Sequence, residues 1–162
     1  MKTSELKLRG MKERELRKIY QQFRRAGCFL DWEEWKEKVT RAYPELIKVA
    51  RQRSLITYGE LGLGKLGISP DWLHPKIGWI VGACSEYEWL EGRPLISSIV
   101  INADTKRPGK GFWGLSGIPK ALSYDIDISN AEPVSKDRLE FKRDEFWTKE
   151  VAKVYEQWQE RE

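Results

Sequence analysis

Between Leu55 and Leu115 the apolar period of the chain changes repeatedly, and that succession limits the folds open to it more than any compositional average does. The stretch opens with Leu55-Ile56-Thr57-Tyr58, short and β-prone. It passes into Gly59-Glu60-Leu61-Gly62-Leu63-Gly64-Lys65-Leu66, which suits a brief helix weakened by glycine. Ser69-Pro70 and His74-Pro75 then punctuate the chain. After Pro75, the residues Ile77, Ile80, Val81, Cys84 and Tyr87 recur on one helical face until Gly92 and Pro94 stop the pattern. Leu95 to Ile101 is rich in β-branched residues and predicts a strand. Phe112-Trp113, beyond a polar turn, suits the return strand of a hairpin. Helix, short strand, two helices and a hairpin, in that order, predict a winged helix-turn-helix unit over residues 42–115.

The flanks predict helices that complete one α+β domain spanning 1–162. In the basic N-terminal part, 1–41, Leu16, Ile19, Tyr20 and Phe23 form an amphipathic stripe ending near Gly27. Asp31 suits an N-cap, with Glu33 and Glu34 in the turn that follows. Tyr43-Pro44 predicts an interruption, with Pro44 opening a further helix. In the remaining part, 116–162, Tyr124 to Ile128 alternates like an edge strand. Trp147, Val151, Val154, Tyr155 and Trp158 form the stripe of a final helix from about Asp144.

Eight tryptophans supply enough apolar surface to offset the entropy of ordering, which argues against disorder. No apolar run is long enough to span a bilayer, and the first residues lack the apolar stretch of a signal peptide, so a cytoplasmic protein with no membrane partner is expected. Cys28 and Cys84 are expected to be reduced thiols. The net charge of +4 is concentrated in residues 1–53, where fifteen Lys and Arg face eight Asp and Glu. That asymmetry points to an N-terminal contribution to phosphate binding.

The string Ile56-Thr57-Tyr58-Gly59-Glu60-Leu61, with the helices and hairpin expected after it, resembles the winged-helix part of alkylguanine-DNA alkyltransferases and alkyltransferase-like proteins. The resemblance covers little more than a third of the chain and implies a winged-helix fold with a DNA-facing surface. It does not extend to alkyl transfer, because nothing here corresponds to the Pro-Cys-His-Arg nucleophile motif. Gly92-Arg93-Pro94-Leu95 together with Pro108 to Trp113 is also similar to a group of uncharacterised prokaryotic proteins, a similarity that implies no function.

The expected function is nucleic-acid binding, duplex DNA before RNA, without catalysis or cofactor. Lys106, Arg107 and Lys110 sit beside Pro108 and two glycines at the expected wing tip, with Arg93 at its base. Lys65, Ser69 and Lys76 are expected to support the approach of the helix, and Trp113 to offer a ring for stacking. The exposed side of the long helix is expected to show Lys76, Trp79, Ala83 and Glu86, and its later turns carry Glu86, Glu88 and Glu91, which would repel phosphates. Gly78 and Gly82, four apart, suit close packing of another element, and a protein-interaction module of a regulatory or defence complex is the alternative. Gly59 to Leu66 spells G-x-x-x-x-G-K-L, which lacks the hydroxyl that a phosphate-binding P-loop places after its lysine. A single histidine and two distant cysteines leave no familiar zinc site or nucleophile-base pair. The remaining catalytic alternative is a magnesium-dependent nuclease using Asp125 and Asp127.

Overall fold

The computed structural model describes residues 7–124 and 132–160. The chain is mostly helical with little sheet, α+β in a loose sense. Two short antiparallel strands, β1 (Lys7–Leu8) and β2 (Met11–Lys12), turn through Arg9 and Gly10, both at positive φ, as a tight two-residue hairpin requires. Helix α1 (Glu13–Arg25) buries Leu16, Ile19 and Phe23. It closes where Gly27 takes φ 110° and the Cys28 N–H reaches the Phe23 carbonyl.

Asp31 caps helix α2 (Trp32–Arg51) by accepting from the Glu34 N–H at 2.8 Å, as the sequence predicts. The expected break at Tyr43-Pro44 is absent, and α2 runs through Pro44 as one helix of 20 residues. An interior proline costs a helix about 3 kcal/mol. Trp35, Val39, Ala42, Tyr43, Leu46 and Ala50 continue one buried stripe on both sides of Pro44, and burying several such side chains outweighs that cost.

Strand β3 (Ile56–Thr57) leads into a short π-helical turn, Glu60–Lys65. Thr57 and Glu60 close a capping box here. The Glu60 N–H donates to Thr57 Oγ1 at 3.0 Å and the Thr57 N–H to Glu60 Oε1 at 2.9 Å, a bond that holds the Glu60 carboxyl below its usual range. Helix α3 (Pro70–Leu90) starts earlier than the sequence pattern suggests and carries Pro75 inside it. Every residue from Ile80 to Glu88 is buried, so α3 is the central helix of the fold.

The expected strand from Leu95 is mostly 3-10 helix, Ile96–Ile99, followed by β4 (Val100–Ile101). β4 pairs with β3 in parallel, Ile56 opposite Val100 and Thr57 opposite Ile101. Phe112 and Trp113 form no return strand: they lie in a 3-10 turn, Lys110–Gly114, with both rings buried. The hairpin expected over 95–113 is therefore replaced by a parallel pair and an irregular loop. The reason is the competing burial: Phe112, Trp113, Leu115, Ile118 and Leu122 turn into a second small core with Leu95. Helix α4 (Pro133–Trp158) closes the molecule. Its Trp147 Nε1 donates to the Ser98 carbonyl at 2.7 Å and Tyr155 to the Ser54 carbonyl at 2.8 Å. The expected edge strand over 124–128 lies, after Tyr124, outside the described residues.

Gly62 marks the tightest packing between the π-helical turn and α3, since a Cβ there would sit 2.2 Å from Leu73 Cδ1. Replacing Gly62 with Val is expected to destabilise the fold by about 1–3 kcal/mol through overpacking, measured by equilibrium urea denaturation.

Candidate nucleic-acid interface and the central cleft

The eight residues singled out as a nucleic-acid surface do not form one surface. Arg93 is committed elsewhere. Its guanidinium donates to both oxygens of the fully buried Glu88 carboxylate, at 2.9 to 3.1 Å, and to the Tyr43 hydroxyl at 3.2 Å. Burial and the adjacent carboxylate push the Tyr43 phenol well above its ordinary range. Trp113 is buried against Phe112 and Phe146, with Arg143 5.2 Å from its ring centre, and offers no free face for stacking. Lys76 pairs with Glu34 and lies over the Trp72 ring. Arg107 forms a two-pronged bond with Asp144 of α4 at 2.7 and 2.9 Å, which lowers the Asp144 carboxyl and raises the guanidinium. Lys65 and Ser69 are exposed, and the Ser69 hydroxyl makes no cap bond at the start of α3. Lys106 and Lys110 are exposed at either side of Pro108 and carry no ion pair among the described residues, Lys110 lying 5.9 Å from the Tyr124 ring centre.

The structure brings Lys110 to a cleft of about 500 Å³ between the end of α1, the outer face of α3 and the loop 102–115. Its construction follows from the parallel strand pair. Because β3 and β4 end together, Tyr58 and Asn102 leave the ladder side by side, and both line the cleft. The loop then folds back so that the Gly109 N–H donates to the Tyr58 hydroxyl at 2.8 Å. The approach is tight at 109, since a Cβ there would lie 3.2 Å from that oxygen and Tyr58 would have to give way by a few tenths of an ångström. The walls are aromatic. Phe23 and Trp79 stand in contact on one side, with ring centres 5.6 Å apart, and Phe112 and Tyr124 stand on the other. The floor is α3, where His74, Gly78, Gly82 and Glu86 recur every fourth residue and all line the cleft. Gly82 is packed by Phe23 and Leu115, whereas nothing lies within 4 Å of a Cβ built on Gly78.

Three features of this site were missed by sequence reasoning. Glu86 does not face solvent: it is 4% exposed and its Oε2 accepts from the Ser116 N–H at 3.1 Å and the Ser116 hydroxyl at 3.0 Å. Tyr58 was not linked to Gly109, and the aromatic walls were assigned to core packing. The glycine pair was noticed, and extending its spacing of four in both directions reaches His74 and Glu86, a signal present in the sequence.

Cys28 and Cys84 are both buried free thiols, and burial raises both above the usual thiol range. Among the described residues no three His, Cys, Asp or Glu side chains cluster to hold a metal. Asp125 and Asp127 lie outside the described residues. No described helix is long and apolar enough to cross a membrane. Comparisons with protein-family models, with curated proteins and with solved structures find no match for the chain.

Removing Arg93 leaves the Glu88 charge buried with only a phenol beside it. Arg93→Ala is expected to cost about 3–5 kcal/mol in stability, seen as a lower urea midpoint, whereas the exposed Lys65→Ala is expected to change it by less than about 0.5 kcal/mol.

Proposed function

We propose that the protein binds nucleic acid by receiving an unstacked base in the central cleft while cations on its two rims hold the flanking phosphates. The observation that carries this reading is the combination of an aromatic-walled cleft with cations beside it that form no ion pair among the described residues. One rim is the loop bearing Lys106 and Lys110, the second of which lies over the Tyr124 ring of the cleft wall. The other is the last turn of α1, where Arg24, which donates to the Cys28 carbonyl at 3.0 Å, and Arg25 sit between the cleft residues Phe23 and Ala26. Rings supply stacking for a base of any sequence, and cations track the backbone, which is the usual physics of single-strand binding.

This reading needs no helix in a major groove. The outer face of α3 is the floor of the cleft, and among the lysines and arginines expected along that approach only Lys65 keeps its head group free of a partner. It favours a single strand, or an extruded base in a duplex, over an intact duplex. A protein partner is the second reading, favoured by Phe29 and Trp72, two half-exposed rings 6.1 Å apart.

Fluorescence anisotropy with labelled single-stranded and duplex oligonucleotides distinguishes these. The expected result is tighter binding of the single strand, with affinity falling roughly tenfold between about 50 and 200 mM salt as a few phosphate contacts release counterions. The double variant Lys106→Glu with Lys110→Glu is expected to weaken binding at least as much. Absence of binding at low salt, or affinity indifferent to that charge reversal, rejects the proposal, and the second of these favours the protein partner.

A further inference from the structure

Two carboxylates are buried two residues apart on α3, and the fold treats them differently. Residues at that spacing point to nearly opposite sides of a helix. Glu88 faces α2 and receives a guanidinium and a phenol, so both its oxygens are satisfied. Glu86 lines the cleft and receives no cation among the described residues. Both donors of Ser116 converge on Oε2, and Oε1 carries no hydrogen bond among the described residues. A carboxylate largely withdrawn from water without a counter-charge is unfavourable, and a fold that keeps one in the lining of an aromatic cleft leaves its unbonded oxygen available to a donor from elsewhere.

We propose that Glu86 is the base-selecting residue of the cleft, accepting a hydrogen bond from the exocyclic amino group of the bound base. This deepens the nucleic-acid reading and rests on it. The chemistry discriminates in one direction. Cytosine, adenine and guanine each carry an amino group that can donate to Oε1. Thymine and uracil offer carbonyl oxygens at the corresponding places, which repel a carboxylate. Gly78 matters here because the space beside its missing side chain is open, so that a planar ring can lie against α3 at that point, whereas Phe23 and Leu115 pack over Gly82 and bound the ring on the side of Glu86. Tyr58 contributes a second polar contact. Its oxygen accepts from Gly109, which leaves its proton to donate to a base carbonyl or ring nitrogen.

The test compares oligo-dC with oligo-dT of equal length, together with an oligo-dC whose N4 amino groups are dimethylated and so lack donors. The wild-type protein is expected to bind oligo-dC roughly tenfold more tightly than oligo-dT, and the dimethylated strand is expected to fall to the oligo-dT level. Glu86→Gln, whose amide can both donate and accept, is expected to erase the preference by raising oligo-dT affinity toward that of oligo-dC, and Ser116→Ala is expected to retain it. Equal, salt-sensitive binding of all three strands by the wild type overturns the role of Glu86 and leaves the nucleic-acid reading standing. Failure to bind any strand at low salt overturns both. The dimethylated strand decides the matter even where Glu86→Gln does not fold, because it removes the donor without touching the protein.

Discussion

The buried contact of Glu88 with Arg93 and Tyr43 is the constraint on which the rest of the chain path depends. Every residue of α3 from Ile80 to Glu88 is buried, and Glu88, facing α2, must be satisfied from within. Tyr43 brings α2 to it, and Arg93 lies just past the end of α3, so the same contact fixes the helix crossing and the direction in which the chain leaves. Trp158 of α4 lies over the other side of the guanidinium, at 5.7 Å. From that exit the chain must pass Leu95, whose N–H is held by the nearly buried Glu150 of α4, before it can reach β3. The parallel register of β4 on β3 follows from that route, and so does the position of the loop that forms the cleft rim.

A second device keeps the cleft open. Trp35 Nε1 donates to the Trp79 carbonyl at 3.0 Å, so the helix wall is pinned from behind rather than by anything inside the cleft. Arg107 fastens the loop to α4 through Asp144. Both partners of that bond are substantially exposed, so it contributes little to global stability and serves mainly to orient the loop. The three cations that the sequence sets in a row are thus one tether flanked by two lysines without an ion pair among the described residues, one of them, Lys110, lying over the Tyr124 ring.

Helical periodicity was legible wherever one face alone is buried. The stripes of α1 and the second half of α4 were visible for this reason, as was the Asp31 cap, whose chemistry is local. α3 was harder, because a helix buried all round has no clean apolar stripe, and Glu86 and Glu88 looked exposed by their type alone. The failures at Pro44, Pro75 and Phe112-Trp113 share one cause. Local rules assign breaks to proline and strands to paired aromatics, and tertiary burial overrode both. The chain-order argument for a hairpin carried no information on whether Val100 would pair backward with Phe112 or sideways with Ile56. That choice was made by the second core, which draws Phe112 and Trp113 away from the ladder. The candidate residues fared as their surroundings dictated: a cation beside a carboxylate distant in sequence, as Arg93, Arg107 and Lys76 each proved to be, cannot be told from a free one by inspection of the chain.

The glycines of α3 bear most directly on whether the cleft is a by-product of packing. Glycine inside a helix costs about 1 kcal/mol relative to alanine, so two on one face weaken α3 by about twice that. Gly82 has a packing reason, since Phe23 and Leu115 press against it at van der Waals distance. Gly78 has none, because the space beside it is open and an alanine would fit there with a gain in helix stability. Packing therefore accounts for the floor of the cleft at one glycine and not at the other. The residue that packing leaves unexplained lies four positions from the first and eight from Glu86, a buried carboxylate without a cation among the described residues, and all three line the same opening. The base-binding role proposed above accounts for both departures at once.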